Sequence, residues 1–479
     1  MLFIINFMYL EFEKKSAHMK PLNPFFYLVL SFFTAFSCQT SDSSYQLNEG
    51  AVVITNVNII DVETGDINQG HVVVDSSKID AILDVETTID PAKGTVIDGT
   101  NRYLLPGLAE MHAHVPSLPW NDPKMEETLF LYLSNGVTTI RGMLGHPHHL
   151  ALREKIKTQE TLGPRFYTSS PSISGNTIPD VQTAREKVSA YKEDGYDFLK
   201  IHPGLKLDVF DEVVKTANEV GIEIAGHVST MVGIRHALES KYSTIDHVDA
   251  YLEGLVPEEE NVDPNANGFF GFYFTDLADV SLIPELVQMT KDNEVWVVPT
   301  QSLFDRWVSP KDPNLIAQEE EMKYMSPETI KNWTQSKTNM ISDPQYDSAK
   351  FARFNEIRYQ LIRALHEDGH GLLLGSDAPQ VFNVPGFSIH HELQGIINAG
   401  LTPLEAIQTG TINIGTFYQE KIGQIKEGFD ADFILLENNP LDNIDNLKNP
   451  LGVMARGQWL DREMIDSRLK GIADAYSSN

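Results

Sequence analysis

Six side chains of types that bind divalent metals recur along this chain at intervals that suit the strand ends of a (β/α)8 barrel. The second interval can hold three strand-plus-helix units of roughly 30 residues each, and the next two can hold one unit each. The last interval is longer than two units need, which predicts an insertion before strand 8. The side chains would then follow strands 1, 4, 5, 6 and 8 and surround one cavity. The six are His112, His114, Lys200, His227, His247 and Asp377.

The first two of these residues form a spaced pair. His112 and His114 follow a mostly apolar stretch, residues 103–111. Residues two apart on a strand face the same side, so both imidazoles can bind one metal ion. Histidine pairs at this spacing also arise by chance, so the pair alone is a weak signal of a metal site.

Lys200 is the more informative residue because it lies among Phe198, Leu199 and Ile201 on a predicted buried strand. An uncompensated cation there would be costly, so the amine either pairs with an acidic side chain or has a depressed pKa. A lysine with a depressed pKa can react with CO2 to form a carbamate, an anionic oxygen donor able to bridge two divalent cations. Both interpretations remain open at this point.

Several short motifs accompany these residues: LPGL at 105–108 before HAH at 112–114, GVTTIR at 136–141, AGH at 225–227, DH at 246–247, VPT at 298–300, GSDA at 375–378, AGLTPLEAI at 399–407 and GFDAD at 428–432. In these motifs the sequence resembles the amidohydrolase superfamily, specifically its binuclear, carbamylated-lysine members near prolidases and imidazolonepropionase-like proteins. The resemblance covers roughly residues 51–460.

The resemblance implies a binuclear metal centre and assigns a role to each of the six residues. His112, His114 and Asp377 would hold one divalent metal, His227 and His247 the other, and carbamylated Lys200 would bridge them. The nucleophile would be a metal-bridging hydroxide, because coordination lowers the pKa of water from about 15.7 toward about 7. Asp377 would act as general base and then general acid in the cleavage of a C–N amide bond. Zinc suits the imidazole-rich set, with manganese and iron as alternatives.

Three further residues are candidates for substrate contacts: Arg141, His146 and His202. For the histidines after strand 2, a solvated loop is the competing interpretation. Two departures from the prolidase-like pattern, KIHPGL at 200–205 and Gly142 after Arg141, weigh against a dipeptide substrate. The expected substrate is a small molecule with a peptide-like or cyclic amide.

Two function hypotheses compete with this one. The first is a mononuclear enzyme of the imidazolonepropionase or deaminase type on the same fold, which would lack the bridging lysine. The second is a catalytically inactive binding lipoprotein at the cell surface. The net charge of −30 and the absence of basic runs disfavour nucleic acid as a partner, and the sequence leaves the oligomeric state open.

The order of strand-like and helix-like segments predicts an α/β fold with two parts. Alternation over residues 105–422 predicts a (β/α)8 TIM-like barrel with an insertion near residues 258–346. Short strands without helices predict a small β-sandwich domain built from residues 49–104 and 423–465. In the insertion, the aromatic residues at 269–274 and 304–307 are candidates for a lid, and packing of the insertion onto the barrel is the alternative.

The N-terminal residues predict export. Lys20, an apolar run at residues 25–33 and small residues before Cys38, the only cysteine, are typical of a signal peptide spanning residues 1–38. A bacterial lipoprotein signal is the favoured interpretation, with Cys38 lipidated and residues 39–48 as a tether, and an ordinary cleaved signal is the alternative. Met19 is a second plausible start. The prediction is an exported bacterial protein that is lipid-anchored facing the periplasm or cell surface, or periplasmic, and that contacts the membrane only through this anchor.

Overall fold

A computed structural model of the chain describes residues 44–477. The predicted signal peptide, Cys38 and the first residues of the tether therefore lie outside the described residues. The strands are β1 Tyr45–Gln46, β2 Val52–Ile60, β3 Ile67–Asp75, β4 Lys78–Leu83, β5 Ile89–Asp90, β6 Thr95–Asp98, β7 Tyr103–Pro106, β8 Leu108–Ala113, β9 Val137–Gly142, β10 Arg165–Thr168, β11 Phe198–Ile201, β12 Glu223–Gly226, β13 Thr244–Asp246, β14 Trp296–Val298, β15 Phe433–Leu436, β16 Gly452–Ala455 and β17 Gln458–Asp461.

Helices alternate with the strands from β8 onward. The α-helices are α1 Pro123–Ser134, α2 Pro147–Lys157, α3 Val181–Asp194, α4 Leu207–Val220, α5 Ile234–Glu239, α6 Tyr251–Gly254, α7 Ile283–Asp292, α8 Gln301–Trp307, α9 Pro313–Ile316, α10 Pro327–Ile341, α11 Ser348–Glu367, α12 Ser388–Asn398, α13 Pro403–Thr409, α14 Ile412–Tyr418 and α15 Arg462–Ser477. Short 3-10 helices cover Glu258–Glu260, Pro264–Ala266, Phe269–Leu277, Val280–Leu282, Glu320–Tyr324 and Ile444–Leu447. None of the helices between residues 44 and 477 has the length and apolar composition needed to cross a membrane.

Strands β8 to β14 give the chain a TIM-barrel-like α/β fold. Strands β8, β9 and β10 pair in parallel, and so do β11 to β14. Isolated parallel bridges join Ser169 to Phe198, Val297 to Leu372, and Ala378 to Ala113. Residues 372–378 thus occupy the position of an eighth strand. Every residue of β8, β9 and β11 is buried, as expected for parallel strands covered on both faces.

Strands from both ends of the described chain share a second sheet. Its order is β17, β16, β15, β7, β2, β3, β4, with β6 also paired to β2. Gly107 connects β7 to the first barrel strand, and a Cβ there would lie 2.1 Å from Oγ1 of Thr138, so only glycine fits this close approach. That these strands form a two-layered sandwich, and the exact domain boundaries, stay predictions.

The insertion predicted near residues 258–346 is interrupted by a regular barrel unit. Helix α7 and strand β14 lie inside that range and complete the seventh strand position. The additional structure therefore comes in two segments, the 3-10 helices between Glu258 and Leu282 and the helices from α8 to α10. Residues 295–298 are strand-like in sequence and contain β14, but so short an apolar run does not by itself show where one inserted segment ends and the next begins.

Candidate active site

The structure brings the six predicted ligands to the C-terminal ends of the barrel strands. Strand β8 carries the first, the second follows it directly, β11 carries the lysine, and the next two histidines directly follow β12 and β13, as the spacing predicts. The carboxylate lies in the eighth strand position. The residues are, in this order, His112, His114, Lys200, His227, His247 and Asp377.

Distances between these side chains define one compact cluster. Oδ1 of Asp377 lies 2.8 Å from Nε2 of His114 and 3.6 Å from Nε2 of His112. The His247 ring lies 4.4 Å from that of His112 and 4.6 Å from that of His227, between centroids. Ligand atoms of His112, His114 and Asp377 all lie within 4.8 Å of one another, a spacing that suits one cation.

Each of three predicted ligand histidines has its Nδ1 beside a polar side chain. Nδ1 of His227 lies 3.0 Å from Oδ2 of Asp249, and Nδ1 of His247 lies 2.8 Å from Oγ1 of Thr300. Such contacts fix the orientation of a metal-binding imidazole and leave Nε2 for the metal.

The third contact joins Nδ1 of His112 to Oδ2 of Asp246, which lie 3.1 Å apart. Both atoms are buried and neither has a hydrogen-bond partner, so this close contact is not a hydrogen bond.

Lys200 is fully buried and faces two groups of the cluster. Its Nζ lies 3.5 Å from Nε2 of His112 and 3.6 Å from Oδ2 of Asp246. Burial lowers the pKa of the amine, and Asp246 partly opposes this shift. A lowered pKa increases the fraction of neutral amine, which is the form that reacts with CO2. Both properties considered at the sequence level, an acidic partner and a depressed pKa, are therefore present together.

His112, His227 and His247 are held neutral. Burial lowers the pKa of His227 to about 3 and places the pKa values of His112 and His247 well below the usual range. Neutral imidazole is the form that binds metals. Nε2 of His247 and Oδ1 of Asp377 are buried without a hydrogen-bond partner, and such orphaned acceptor atoms suit a divalent cation.

The backbone is strained at three of these strand ends. His247, Thr300 and Asp377 have φ values of 65°, 47° and 63°, in the left-handed region that non-glycine residues rarely adopt. Such strain persists where the surrounding structure holds it, and it concentrates at functional sites.

Arg141, a predicted substrate contact, braces the interior of the barrel. It is 1 % exposed and donates from Nε to the Met111 carbonyl, and from Nη2 to Oγ1 of Thr244 and Oδ1 of Asp246. Its guanidinium also lies 5.1 Å from the centroid of the Phe198 ring. Arg141 lies near the end of β9, and its side chain turns into the barrel interior.

The other two predicted substrate residues differ in position. His146 caps the N-terminus of α2, where its Nδ1 accepts from the backbone of His148 at 3.2 Å. His202 lies beside the cluster, with its ring 5.3 Å from that of His227 and its Nδ1 3.0 Å from Oγ of Ser172. Burial lowers the pKa of His202 to about 2, so its imidazole is neutral.

The aromatic residues of the predicted lid divide between the two interpretations. The Phe270 ring lies 5.2 Å from that of His247 and 5.8 Å from that of His227, so it covers the cluster. Phe272 and Phe274 are buried in the core, and Phe304 is fully buried beneath Phe270. Only part of the aromatic segment therefore contacts the site.

Several buried polar residues around the cluster were missed by the sequence analysis. Asp246 precedes a ligand directly and Thr300 ends the VPT motif, but no role was assigned to either. Glu110 accepts from the backbone amides of His112 and Ser376 at 3.0 and 2.7 Å, so it links the two segments that carry His112 and Asp377. A polar residue in an apolar strand, two positions before a ligand, is the signal that could have identified Glu110.

Comparisons with known proteins agree with this geometry. A family model described as the amidohydrolase family matches residues 103–460. Solved structures with a similar fold include bottromycin amidohydrolase, with 21% identity, a TM-score of 0.68 and coverage of 88% of this chain and 90% of that one. A Xaa-Pro dipeptidase with bound methionine has 18% identity, a TM-score of 0.60 and coverage of 86% and 100%.

Ochratoxinase of Aspergillus niger is similar in both sequence and structure. Its sequence is 38% identical over 89 residues, which is 18% of this chain and 18% of that protein, so the match spans less than a fifth of its length. Its crystal structure superposes with a TM-score of 0.60 and 18% identity over 86% of this chain and 96% of that one.

Proposed function

The chain belongs to the amidohydrolase family, and on that premise we propose that it is a member of the prolidase-like branch and hydrolyses a C–N amide bond of a small molecule at the cluster of the six predicted ligands. The observation that carries the proposal is the convergence of the six predicted ligands on one buried cluster. Each of three histidines has a polar partner at Nδ1, the arrangement that metal-binding histidines use.

The proposal includes two divalent cations, with zinc favoured by the imidazole-rich ligands. His112, His114 and Asp377 would hold one cation, His227 and His247 the other, and Lys200 as a carbamate would contribute to both. When bound, the cations supply a water molecule of lowered pKa and polarise the substrate carbonyl. The neutral imidazoles and the orphaned Oδ1 of Asp377 support this assignment.

The side chains of the protein perform the remaining steps. The neutral amine of Lys200 attacks CO2 and releases a proton, which gives the anionic carbamate. Asp377, whose Oδ1 has no hydrogen-bond partner, takes a proton from the attacking water and delivers it to the departing nitrogen. Phe270, above His227 and His247, limits the access of bulk water to the reacting atoms.

One observation favours the mononuclear alternative. Lys200 lies at ion-pair distance from Asp246, so the amine can stay unmodified. His112, His114 and Asp377 could then hold a single cation without a ligand from Lys200. An enzyme of the imidazolonepropionase or deaminase type would use such a site. One metal equivalent per chain, together with unchanged activity of Lys200→Ala, would favour this alternative.

A substrate screen tests the proposed activity. Purified protein is incubated with zinc and bicarbonate, and then with dipeptides, N-acyl amino acids, other amides, lactams and esters. We expect hydrolysis of at least one amide class, and loss of that hydrolysis in Asp377→Asn. If the metal-loaded protein hydrolyses nothing but binds a small ligand tightly, the protein is a binding lipoprotein rather than an enzyme.

The proposal for localisation rests on the N-terminal sequence pattern alone. Lipidation of Cys38 would hold the protein on a membrane facing the periplasm or cell surface. Cys38→Ser is expected to move the protein from the membrane fraction to the soluble fraction. An unchanged distribution would leave an ordinary cleaved signal as the better interpretation.

A further inference from the structure

A cavity of about 350 Å³ opens beside His227 at the C-terminal face of the barrel. Its walls come from the loops after β11, β12 and β13 and from the first inserted segment, including Pro203, Thr230 and Phe269. A cavity of this size at strand ends, next to a reactive centre, is typical of a binding site for a substrate group.

The cavity borders the ligand cluster at His227. His227 and Phe270 line it, and the Phe270 ring lies 5.2 Å from that of His247. The ring also contacts Phe269 and Phe304, at 4.7 and 5.2 Å between centroids. A group in this cavity would therefore be attached to an amide that reaches the cluster.

The wall that Phe270 forms is fixed in place. Phe270 has a φ of 51°, which is unusual for a bulky residue, and Gly271 follows with a φ of 79°. A Cβ on Gly271 would lie 2.8 Å from Leu252 and 2.9 Å from Oε2 of Glu253. Because this loop is tightly packed, it forms a rigid wall for the cavity.

The cavity is lined by acidic side chains but not by basic ones, among the residues that the structure describes. Of the described residues 44–477, neither a lysine nor an arginine lines it, whereas Asp249 and Glu253 do. Arg306, a buried residue of α8, donates to the Phe382 carbonyl and to Glu319. Arg358 donates to the carbonyl of His247 and to other protein acceptors.

Among the described residues, a substrate carboxylate would therefore find no lysine or arginine side chain in the cavity. It would lose hydration beside two acidic side chains, and an unpaired buried anion is strongly disfavoured. Burial raises the pKa of Glu253 to about 7, in agreement with an environment unfavourable to a negative charge. The apolar walls, by contrast, favour a ring or an aliphatic group.

Resting on the proposed function, we propose that this cavity is the specificity subsite of the enzyme and that it binds an uncharged, aromatic-sized group attached to the scissile amide, while it rejects a carboxylate at that position. Dipeptides and N-acyl amino acids with a free carboxylate are then poor substrates. Ring-bearing amides without that carboxylate are good ones.

A matched set of small amides tests this subsite. N-phenethylacetamide carries the ring without charge, N-acetylphenylalanine adds a carboxylate, and N-ethylacetamide lacks the ring. N-ethyl-2-phenylacetamide carries the ring on the acyl side of the amide instead of the amine side. Of N-phenethylacetamide and N-ethyl-2-phenylacetamide, we expect the better substrate to have a kcat/KM about tenfold or more above those of N-ethylacetamide and N-acetylphenylalanine. Equal values, or a preference for the carboxylate, would overturn the proposal.

Binding to the zinc-loaded Asp377→Asn variant separates this proposal from the proposed function. Dissociation constants of the same compounds are measured by ligand-observed NMR, which needs no turnover. Ring-selective binding without hydrolysis by the wild type would contradict the proposed function but support the subsite. Hydrolysis of amides without ring selectivity would support the proposed function but contradict the subsite.

A charge substitution provides a second test. Thr230 lines the cavity, and Met231, which is 53% exposed, does not. Thr230→Lys is expected to improve kcat/KM for N-acetylphenylalanine relative to N-phenethylacetamide by about tenfold. Met231→Lys adds the same charge outside the wall and should change this ratio by less than about threefold. Equal effects of the two variants would show that the cavity does not control the selectivity.

Discussion

Asp246 Oδ2 lies 3.1 Å from Nδ1 of His112, and both side chains are buried, at 0% and 1% exposure. Asp246 also accepts from Arg141 and lies at ion-pair distance from Lys200. One carboxylate therefore contacts a predicted metal ligand, the predicted bridging lysine and the arginine that braces the barrel. We interpret Asp246 as the residue that orients His112 and Lys200 in the cluster.

Asp246→Asn should weaken metal binding without removing a ligand. Polar partners of metal-binding histidines typically contribute 10- to 100-fold, roughly, to metal affinity, so we expect a loss in that range. Zinc affinity is measured by competition with a chromogenic chelator. Asp263→Asn, in an exposed 3-10 turn, is the matched control and should bind zinc like the wild type. Wild-type affinity in Asp246→Asn would contradict the assigned role.

Lys200→Ala should remove the bridging group. We expect the zinc content to fall from two equivalents per chain to one or fewer, and kcat to fall by about 100-fold or more. In a parallel experiment, protein labelled with ¹³C-bicarbonate should give a carbamate carbon signal in the wild type and none in the variant. Identical spectra of the two proteins would show that Lys200 carries no carbamate.

Arg141→Met distinguishes bracing from substrate binding. Removing Arg141 from its buried ion pair leaves Asp246 with Lys200 as its remaining cationic partner, so the free energy of unfolding should drop by about 3 kcal/mol. Urea denaturation measures this change. If Arg141 contacted the substrate instead, Arg141→Met would raise KM and leave the free energy of unfolding unchanged.

Much of the site could be predicted from the sequence, because strand-plus-helix units have a narrow length range. The spacing of Lys200, His227 and His247 therefore placed them correctly on or after the fourth to sixth barrel strands. The direction of the Arg141 side chain could not be predicted, because it depends on Asp246, which is distant in sequence but adjacent in the barrel.

The structure of the insertion was also predicted poorly from the sequence. Residues 295–298 are strand-like in sequence and contain β14, but the predicted insertion near residues 258–346 still included this strand. Within the first of them, the backbone at Phe270 is left-handed, and neither propensity nor periodicity predicts that conformation for phenylalanine. The position of that ring over His227 and His247 follows from this turn and was thus visible only in the structure.

His390 should make stability depend on pH independently of the metal cluster. It is buried beside Asn135, and burial lowers its pKa to about 3, against about 6.5 in an unfolded chain. Below about pH 6.5 the unfolded chain binds a proton at this residue that the folded protein does not, so the stabilisation is complete above that pH and is lost as the pH falls toward 3.

The His390→Gln variant isolates this contribution. Its free energy of unfolding should fall less steeply than that of the wild type between pH 6.5 and 3, by up to about 1.4 kcal/mol per pH unit. Parallel curves for the two proteins would show that His390 is not held neutral in the fold.

The most direct test of the metal centre is a crystal structure of the protein prepared with zinc and bicarbonate, with data collected at the zinc absorption edge. We expect two anomalous peaks, one among His112, His114 and Asp377 and one at His227 and His247, with continuous density for a carbamate on Nζ of Lys200. A single peak with an unmodified Lys200 paired to Asp246 would contradict the binuclear account.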